Sequence, residues 1–222
     1  ARLNIAVGER VLVAGSTHEG EERVLLDVFR KLLAAYPDFK LILVPRHIER
    51  AVSVMQLVRQ AGFDDSLTLT EIDRGRKRQN ERVVVVDVIG ELFKLYSLAT
   101  VVYCGGSLVP RGGQNILEPA AWGKVVLYGP FMEDFRDEKA LLEEVGAGIT
   151  AKDGPDLAEQ VLALLRDPAA MAARGLNAGR VVAASRGASK RYATLIREVL
   201  AATPPPAGHI PATSHPPKPA SD

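Results

Sequence analysis

One cysteine, Cys104, stands among the 222 residues. That excludes an internal disulfide framework, and the absence of a Cys/His cluster removes the usual sequence signal for zinc. Neither sign of charge is in excess: 28 Lys and Arg against 27 Asp and Glu leave a net charge of +1. No strong overall field draws such a chain to nucleic acid. No apolar run reaches the ~18 residues of a membrane span. The opening ARLNIAVGER lacks the basic–apolar–small pattern of a signal peptide. Together these absences favour a cytosolic, reducing setting. The first residue is Ala1 rather than Met, which fits a fragment or a processed chain.

What is present organises the chain simply. Residues 203–222 hold seven of the fourteen prolines and almost no large apolar residue. Such a stretch cannot bury enough surface to offset its ordering entropy, so disorder is expected there. His209 and His215 fall within it and carry no assigned chemistry. Residues 1–202 form the expected folded domain. In it, β-branched runs alternate with amphipathic stretches. Strands are expected at 11–14, 41–44, 67–69, 82–86, 100–104, 125–128 and 148–150. Helices are expected from near Glu19, over about 48–61, 91–98, from Gln114 or Asn115, and over 133–145, with three more to close the fold, the last near 188–201. No internal repeat is evident. Apolar strands alternating with helices imply an α/β fold: a Rossmann-like, doubly wound parallel sheet covered on both faces. Ligands of such sheets bind beyond the carboxyl ends of the strands, so function is sought in the loops that follow them.

Four such loops are unusually polar. In the first, residues 15–20 (GSTHEG), small residues let a ligand approach and the following helix offers amides to an anion. The plainer reading is a turn with Ser16 or Thr17 as helix cap, and acids Glu19, Glu21 and Glu22 suiting the helix dipole. The second loop carries Arg46 and His47 after Pro45, a fixed cation and a switchable donor, or simply a solvated turn. The third is Gly90, Glu91 and Leu92 at a strand-to-helix junction, where the backbone can meet a base or ribose and the dipole alone also suits the acid. The fourth, residues 105–119 (GGSLVPRGGQNILEP), has two glycine pairs leading into a helix. Asn115 can cap that helix or donate to a ligand, and Glu118 can accept from ribose hydroxyls. It matches neither the Walker pattern nor GxGxxG. Together the loops describe a site for a phosphorylated nucleotide, without specifying a reaction.

The segments GSTHEGEE, VPRH and IGELFKLYSLATVVYCGGSLVPRGGQNILEPAAWGKVVLYGP, with their spacing, resemble the C-terminal half of the 3-deoxy-D-manno-octulosonic acid (Kdo) transferases. The resemblance runs from about Gly8 to Leu200. It implies the GT-B glycosyltransferase architecture, in which two Rossmann-like domains face a cleft and the C-terminal one holds the nucleotide. It also implies transfer of Kdo from CMP-Kdo to a lipid A precursor (lipid IVA) in lipopolysaccharide biosynthesis, at the cytoplasmic face of the bacterial inner membrane. By this resemblance the CMP contacts fall on Arg46 and His47, on Gly90, Glu91 and Leu92, and on Asn115, Ile116, Leu117 and Glu118, with Ser16 as a weaker addition. Neither metal nor cofactor is implied. The family's general base is a glutamate of the N-terminal half, which has no counterpart here. The chain by itself is therefore expected to bind donor without catalysing transfer. The family often has His where this chain has Gln114, which removes a group titrating near neutrality.

Alternatives consistent with the same fold are another GT-B nucleotide-sugar enzyme, such as a UDP-sugar transferase or epimerase, and a non-catalytic nucleotide-binding module. Two basic stretches complete the picture. Residues 168–200 carry Arg174, Arg180, Arg186, Lys190, Arg191 and Arg197 against one acid, Glu198. This suits either a solvated helix face or peripheral attraction to an anionic membrane. Residues 74–78 (RGRKR) read as an exposed loop, without aromatics to stack bases.

Overall fold

The computed structural model describes residues 3–6 and 8–185. The closing helix expected near 188–201 and the proline-rich stretch 203–222 lie outside the described residues. Among the described residues are seven strands: β1 (Val11–Thr17), β2 (Lys40–Pro45), β3 (Leu67–Thr68), β4 (Val83–Val85), β5 (Val101–Cys104), β6 (Val126–Tyr128) and β7 (Gly148–Thr150). They form one parallel sheet in the order β3-β4-β2-β1-β5-β6-β7. Strand β1 is central; the chain first lays down β2, β3 and β4 on one side of it, with β4 inserted between β2 and β3, and then β5, β6 and β7 on the other. This is the doubly wound topology implied by the sequence alternation, with its switch point between β1 and β5.

The period-2 geometry of the strands divides the core. Leu12, Ala14, Leu41, Leu43, Val101 and Tyr103 point to one face. There they meet Leu25 and Phe29 of α1 (Glu21–Ala35), Val54 and Val58 of α2 (Ala51–Gln60), and Leu157 and Val161 of α7 (Gly154–Arg166). Val11, Val13, Ile42, Val102, Cys104 and Val126 point to the other. Those pack with Leu95 of α4 (Leu92–Leu95), Ala120 of α5 (Leu117–Ala121), Leu142 of α6 (Arg136–Glu144) and Ala178 of α8 (Pro168–Ser185). Both faces are covered, which is why strands such as VLVA and VVYC are apolar throughout rather than alternating.

Several boundaries differ from the sequence expectation, each for a local reason. A short helix, α3 (Leu69–Asp73), follows β3 directly. Thr68 accepts from the Glu71 amide while the Glu71 carboxylate accepts from the Thr68 amide, a capping box that ends the strand after two residues. The stretch 48–61 divides into a single 3-10 turn, Ile48–Arg50, and α2. The region 133–145 divides likewise, with the turn Glu133–Phe135 before α6. The helix expected at Gln114 or Asn115 begins only at Leu117 and has five residues. Asn115 Oδ1 takes the Leu117 amide at 3.0 Å and bends the chain into that helix. Helix α1 begins at Glu21 after Gly20, so neither Ser16 nor Thr17 caps it.

The basic loop also departs from expectation. Arg78 is not exposed: only 2% of it reaches solvent. Its guanidinium donates to the carbonyls of Leu3, Asn4 and Glu81 and to Glu9 Oε2 at 2.7 Å. Asn4 returns a bond to the Arg78 carbonyl. This one side chain therefore fastens the N-terminal segment to the loop before β4. Breaking a buried, hydrogen-bonded charge pair costs several kcal/mol, whereas exposed pairs contribute little. Arg78→Ala should accordingly lower unfolding free energy in urea by about 2–4 kcal/mol. Arg76→Ala, which removes a half-exposed partner of Glu71 and Glu81, should cost under about 1 kcal/mol. Equal losses would contradict the staple.

Candidate functional site

The chemistry of the strand ends begins with two adjacent buried carboxylates in the first turn of α1. Glu21 is fully buried. Its Oε1 accepts from the Tyr103 hydroxyl at 2.6 Å and from the Ser107 and Leu108 amides at 3.0 Å each. Its Oε2 accepts from the His18 and Gly106 amides, both at 2.8 Å. A carboxylate removed from water is tolerable only when its lone pairs are answered, and five donors do so here without a cation. Burial and the neighbouring carboxylate push the Tyr103 hydroxyl pKa far up, so Tyr103 remains a donor. Glu22, equally buried, takes the Thr17 hydroxyl at 2.9 Å and the Arg50 guanidinium at 2.7 Å.

This arrangement fixes what the first half of the glycine-rich loop can do. The amides of Gly106, Ser107 and Leu108 are committed to Glu21, and that of Gly113 to the Gly106 carbonyl. They are not available to a ligand phosphate, and α5 is too short to provide a helix-terminal anion site. The loop's glycines serve packing instead. A Cβ on Gly105 would lie against the Ser16 carbonyl, and one on Gly113, at φ +83°, against Met132. The hydroxyl of Ser107 donates to the Cys104 carbonyl at 2.6 Å and accepts from the Gly129 amide at 2.8 Å, tying the loop to the end of β6.

On the other side of β1 the strand ends open into a cleft of 340 Å³. Five of the sequence-predicted residues line it: Ser16, Arg46, His47, Gly90 and Leu92. Its walls are apolar, built by Val44, Pro45, Val86, Val88 and Ile89, and its lip is polar. Ser16 reaches the lip through a left-handed backbone, φ 53°. Arg46 is exposed and has no ion pair with a described residue, while its amide is fixed to the Thr17 carbonyl at 2.9 Å. Gly90 has φ +86° with open space where a Cβ would be, so a ligand can approach that backbone closely. Glu91, half-buried, adjoins the cleft at the start of α4, 3.7 Å from Lys94 Nζ.

The remaining predicted residues do not line the cleft. Ile116 is fully buried in the core, so its side chain is a packing anchor. Leu117 packs partly against that core. Asn115 is exposed, and its Nδ2 lies 3.4 Å from Glu118 Oε1. The Glu118 charge acts on Tyr96, whose pKa burial pushes well up, with the Cys104 and Glu118 charges adding to it. Tyr96 and Leu92 pack together over Gly15, where a side chain would have no room. A second hollow of 330 Å³ lies between α1 and α2, but its Arg50 already serves Glu22. Among the described residues no group of three or more His, Cys, Asp or Glu is arranged to hold a metal ion. No helix among them is long and apolar enough to cross a membrane.

Residues missed by sequence reasoning are Glu21, Glu22, Tyr103 and His18. The two acids look like ordinary helix-dipole partners in the sequence, and only the fold reveals their donors. His18 stands between the two loops: its ring meets that of His47 edge to face, 5.7 Å between centroids.

Fold and cleft together define a class, the C-terminal Rossmann-like domain of a GT-B glycosyltransferase. No protein-family model matches the chain. It is 38% identical over 154 residues to the 3-deoxy-D-manno-octulosonic acid transferase of Aquifex aeolicus, covering 69% of this chain and 41% of that protein. It is 33% identical over 191 residues to the enzyme of that name from Haemophilus influenzae, covering 86% and 44%. Among solved structures, the C-terminal CMP-Kdo binding domain of WaaA from Acinetobacter baumannii matches with a TM-score of 0.73 at 28% identity, over 79% of this chain and 90% of that domain. The chain belongs to the 3-deoxy-D-manno-octulosonic acid transferase family, as its C-terminal half. It spans less than half the length of these two curated relatives.

The Glu21 contacts yield a direct prediction. Glu21→Gln replaces one acceptor by an amino group that faces donors, so urea unfolding should show a loss of about 2–4 kcal/mol. The Gly106, Ser107 and Leu108 amides should then exchange faster with solvent. Arg46→Ala, on an exposed lip, should change stability by under about 0.5 kcal/mol.

Proposed function

We propose that this chain is the donor half of a glycosyltransferase that moves Kdo from CMP-Kdo to a lipid A precursor. The cleft carries this reading: it sits beyond the carboxyl ends of β1, β2 and β4, on the sheet edge where doubly wound folds bind their ligands and beside the β1–β5 switch point. Its Acinetobacter baumannii counterpart is a CMP-Kdo binding domain. The apolar walls suit a flat base, and the open backbone at Gly90 suits close contact with base or ribose. Glu91 and Glu118 are acceptors for ribose hydroxyls. Arg46, unpaired by any described acid, answers the phosphate.

The donor's leaving group is CMP, a phosphate monoester. Direct displacement at the anomeric carbon, with inversion, builds charge on that phosphate as the glycosidic bond breaks. A guanidinium at the lip stabilises this charge more as it grows, which is the condition for accelerating the step. The base that takes the acceptor's proton belongs to the other half of the enzyme, so the chain alone binds donor and does not transfer. The acceptor's setting places the working enzyme at the cytoplasmic face of the inner membrane, in peripheral contact with anionic lipid. Exposed Arg174 and Arg180 of α8 are compatible with that contact.

Calorimetric titration tests the reading. The 222-residue chain should bind CMP in preference to UDP. Glu118→Ala should weaken CMP binding by about 1–3 kcal/mol, the range for losing a charged hydrogen-bond partner. Preference for UDP would assign the cleft to another GT-B enzyme.

A further inference from the structure

We propose that His18 and Arg111 form a second anion subsite, beside the nucleotide cleft, which holds the carboxylate of the acidic sugar being transferred. The proposal rests on the cleft being the nucleotide site and adds the recognition of the sugar. His18 belongs to the loop between β1 and α1, and Arg111 to the glycine-rich loop after β5. Both flank Gly106: a Cβ there would lie 3.3 Å from His18 Cδ2 and 3.5 Å from Arg111 Cβ. The His18 ring also abuts His47, which lines the cleft. His18 therefore stands between Gly106 and the cleft lip.

Three observations point to a ligand. His18 Nε2 is shielded from solvent and has no hydrogen-bond partner, a state that calls for an explanation in a folded protein. The His18 backbone amide is held by Glu21 at 2.8 Å, so the residue is fixed at this place in the crevice. Arg111 is exposed and makes no ion pair with a described residue. The charges around His18 are Glu21, already spent on five donors, together with His47, Arg111 and Arg50. Burial lowers the His18 pKa, Glu21 raises it, and the three basic neighbours lower it again, with a net downward shift. Because the His18 residue is only half-buried, a turn of its neutral imidazole opens Nε2–H to a ligand oxygen, while Arg111 supplies the charge and a two-pronged donor.

The geometry of the sugar explains the need for two subsites. In a 2-ulosonic acid the carboxylate is bonded to the anomeric carbon, and that carbon carries the phosphate ester. Two anions therefore sit within a few bonds of each other. A single cation at the cleft lip answers one of them, and a neighbouring donor pair answers the other. An aldose donor has no carboxylate on its anomeric carbon, so this subsite would distinguish the two sugar classes.

Titration of the 222-residue chain with CMP and with CMP-Kdo, for the wild type and for Arg111→Gln and His18→Gln, decides the matter. Arg111→Gln should lower CMP-Kdo affinity about tenfold, the effect of one lost charge-assisted pair, and CMP affinity by less than about twofold. His18→Gln should act in the same direction. An equal loss for both ligands would assign these residues to the phosphate and overturn the proposal, as would unchanged affinity for both. If the wild type binds neither ligand, the nucleotide reading itself fails, and this proposal with it.

Discussion

The carboxylate of Glu21 is the point on which the strand ends are organised. It lies in the first turn of α1, yet it bonds to the strand β5 hydroxyl of Tyr103 and to three successive amides of the loop after β5. The charge is out of water, and its oxygens are answered only while that loop holds its conformation. Loop and helix are therefore specified together. A glycine-rich segment with little intrinsic preference becomes a fixed wall at the topological switch point.

This constraint divides the two sides of β1. Toward β5 the loop amides are consumed, Ser107 ties β5 to the end of β6, and the glycines are filled against by Ser16, Met132 and Asp134. Toward β2 and β4 the strand ends remain open, and the cleft forms there between Ser16, Arg46 and Gly90. One side is rigidly supported and the other offers an accessible lip, which suits the donor site proposed above. Glu22 extends the same logic to Arg50, which is tied to that buried carboxylate and leaves Arg46 as the cation at the cleft lip.

Much of this was legible in the sequence, for physical reasons. Strands buried on both faces are apolar throughout, so VLVA, LILV and VVYC were visible as parallel strands, and β7 was expected with its observed limits. The lip residues Arg46, His47 and Gly90 were visible because polar loops after such strands are conspicuous. What was not legible depends on partners distant in sequence. Glu21 and Tyr103 are 82 residues apart, and Arg78 reaches residues 75 and 74 positions away. A local reading sees only a helix-dipole acid in the first case and a solvated arginine in the second. The capping box of Thr68 and Glu71 is a different kind of miss, because its signature lies in the sequence itself. Asn115 was expected to begin a helix, but its side chain satisfies the Leu117 amide and delays the helix.

The central claim is that Glu21 presets the crevice and leaves the lip of β1, β2 and β4 to the nucleotide. A crystal structure of the chain with CMP tests it directly. The account predicts the nucleotide between Ser16, Arg46 and Gly90, with the five hydrogen bonds of Glu21 unchanged. A nucleotide phosphate seated on the Gly106, Ser107 and Leu108 amides, with Glu21 displaced from them, would contradict it.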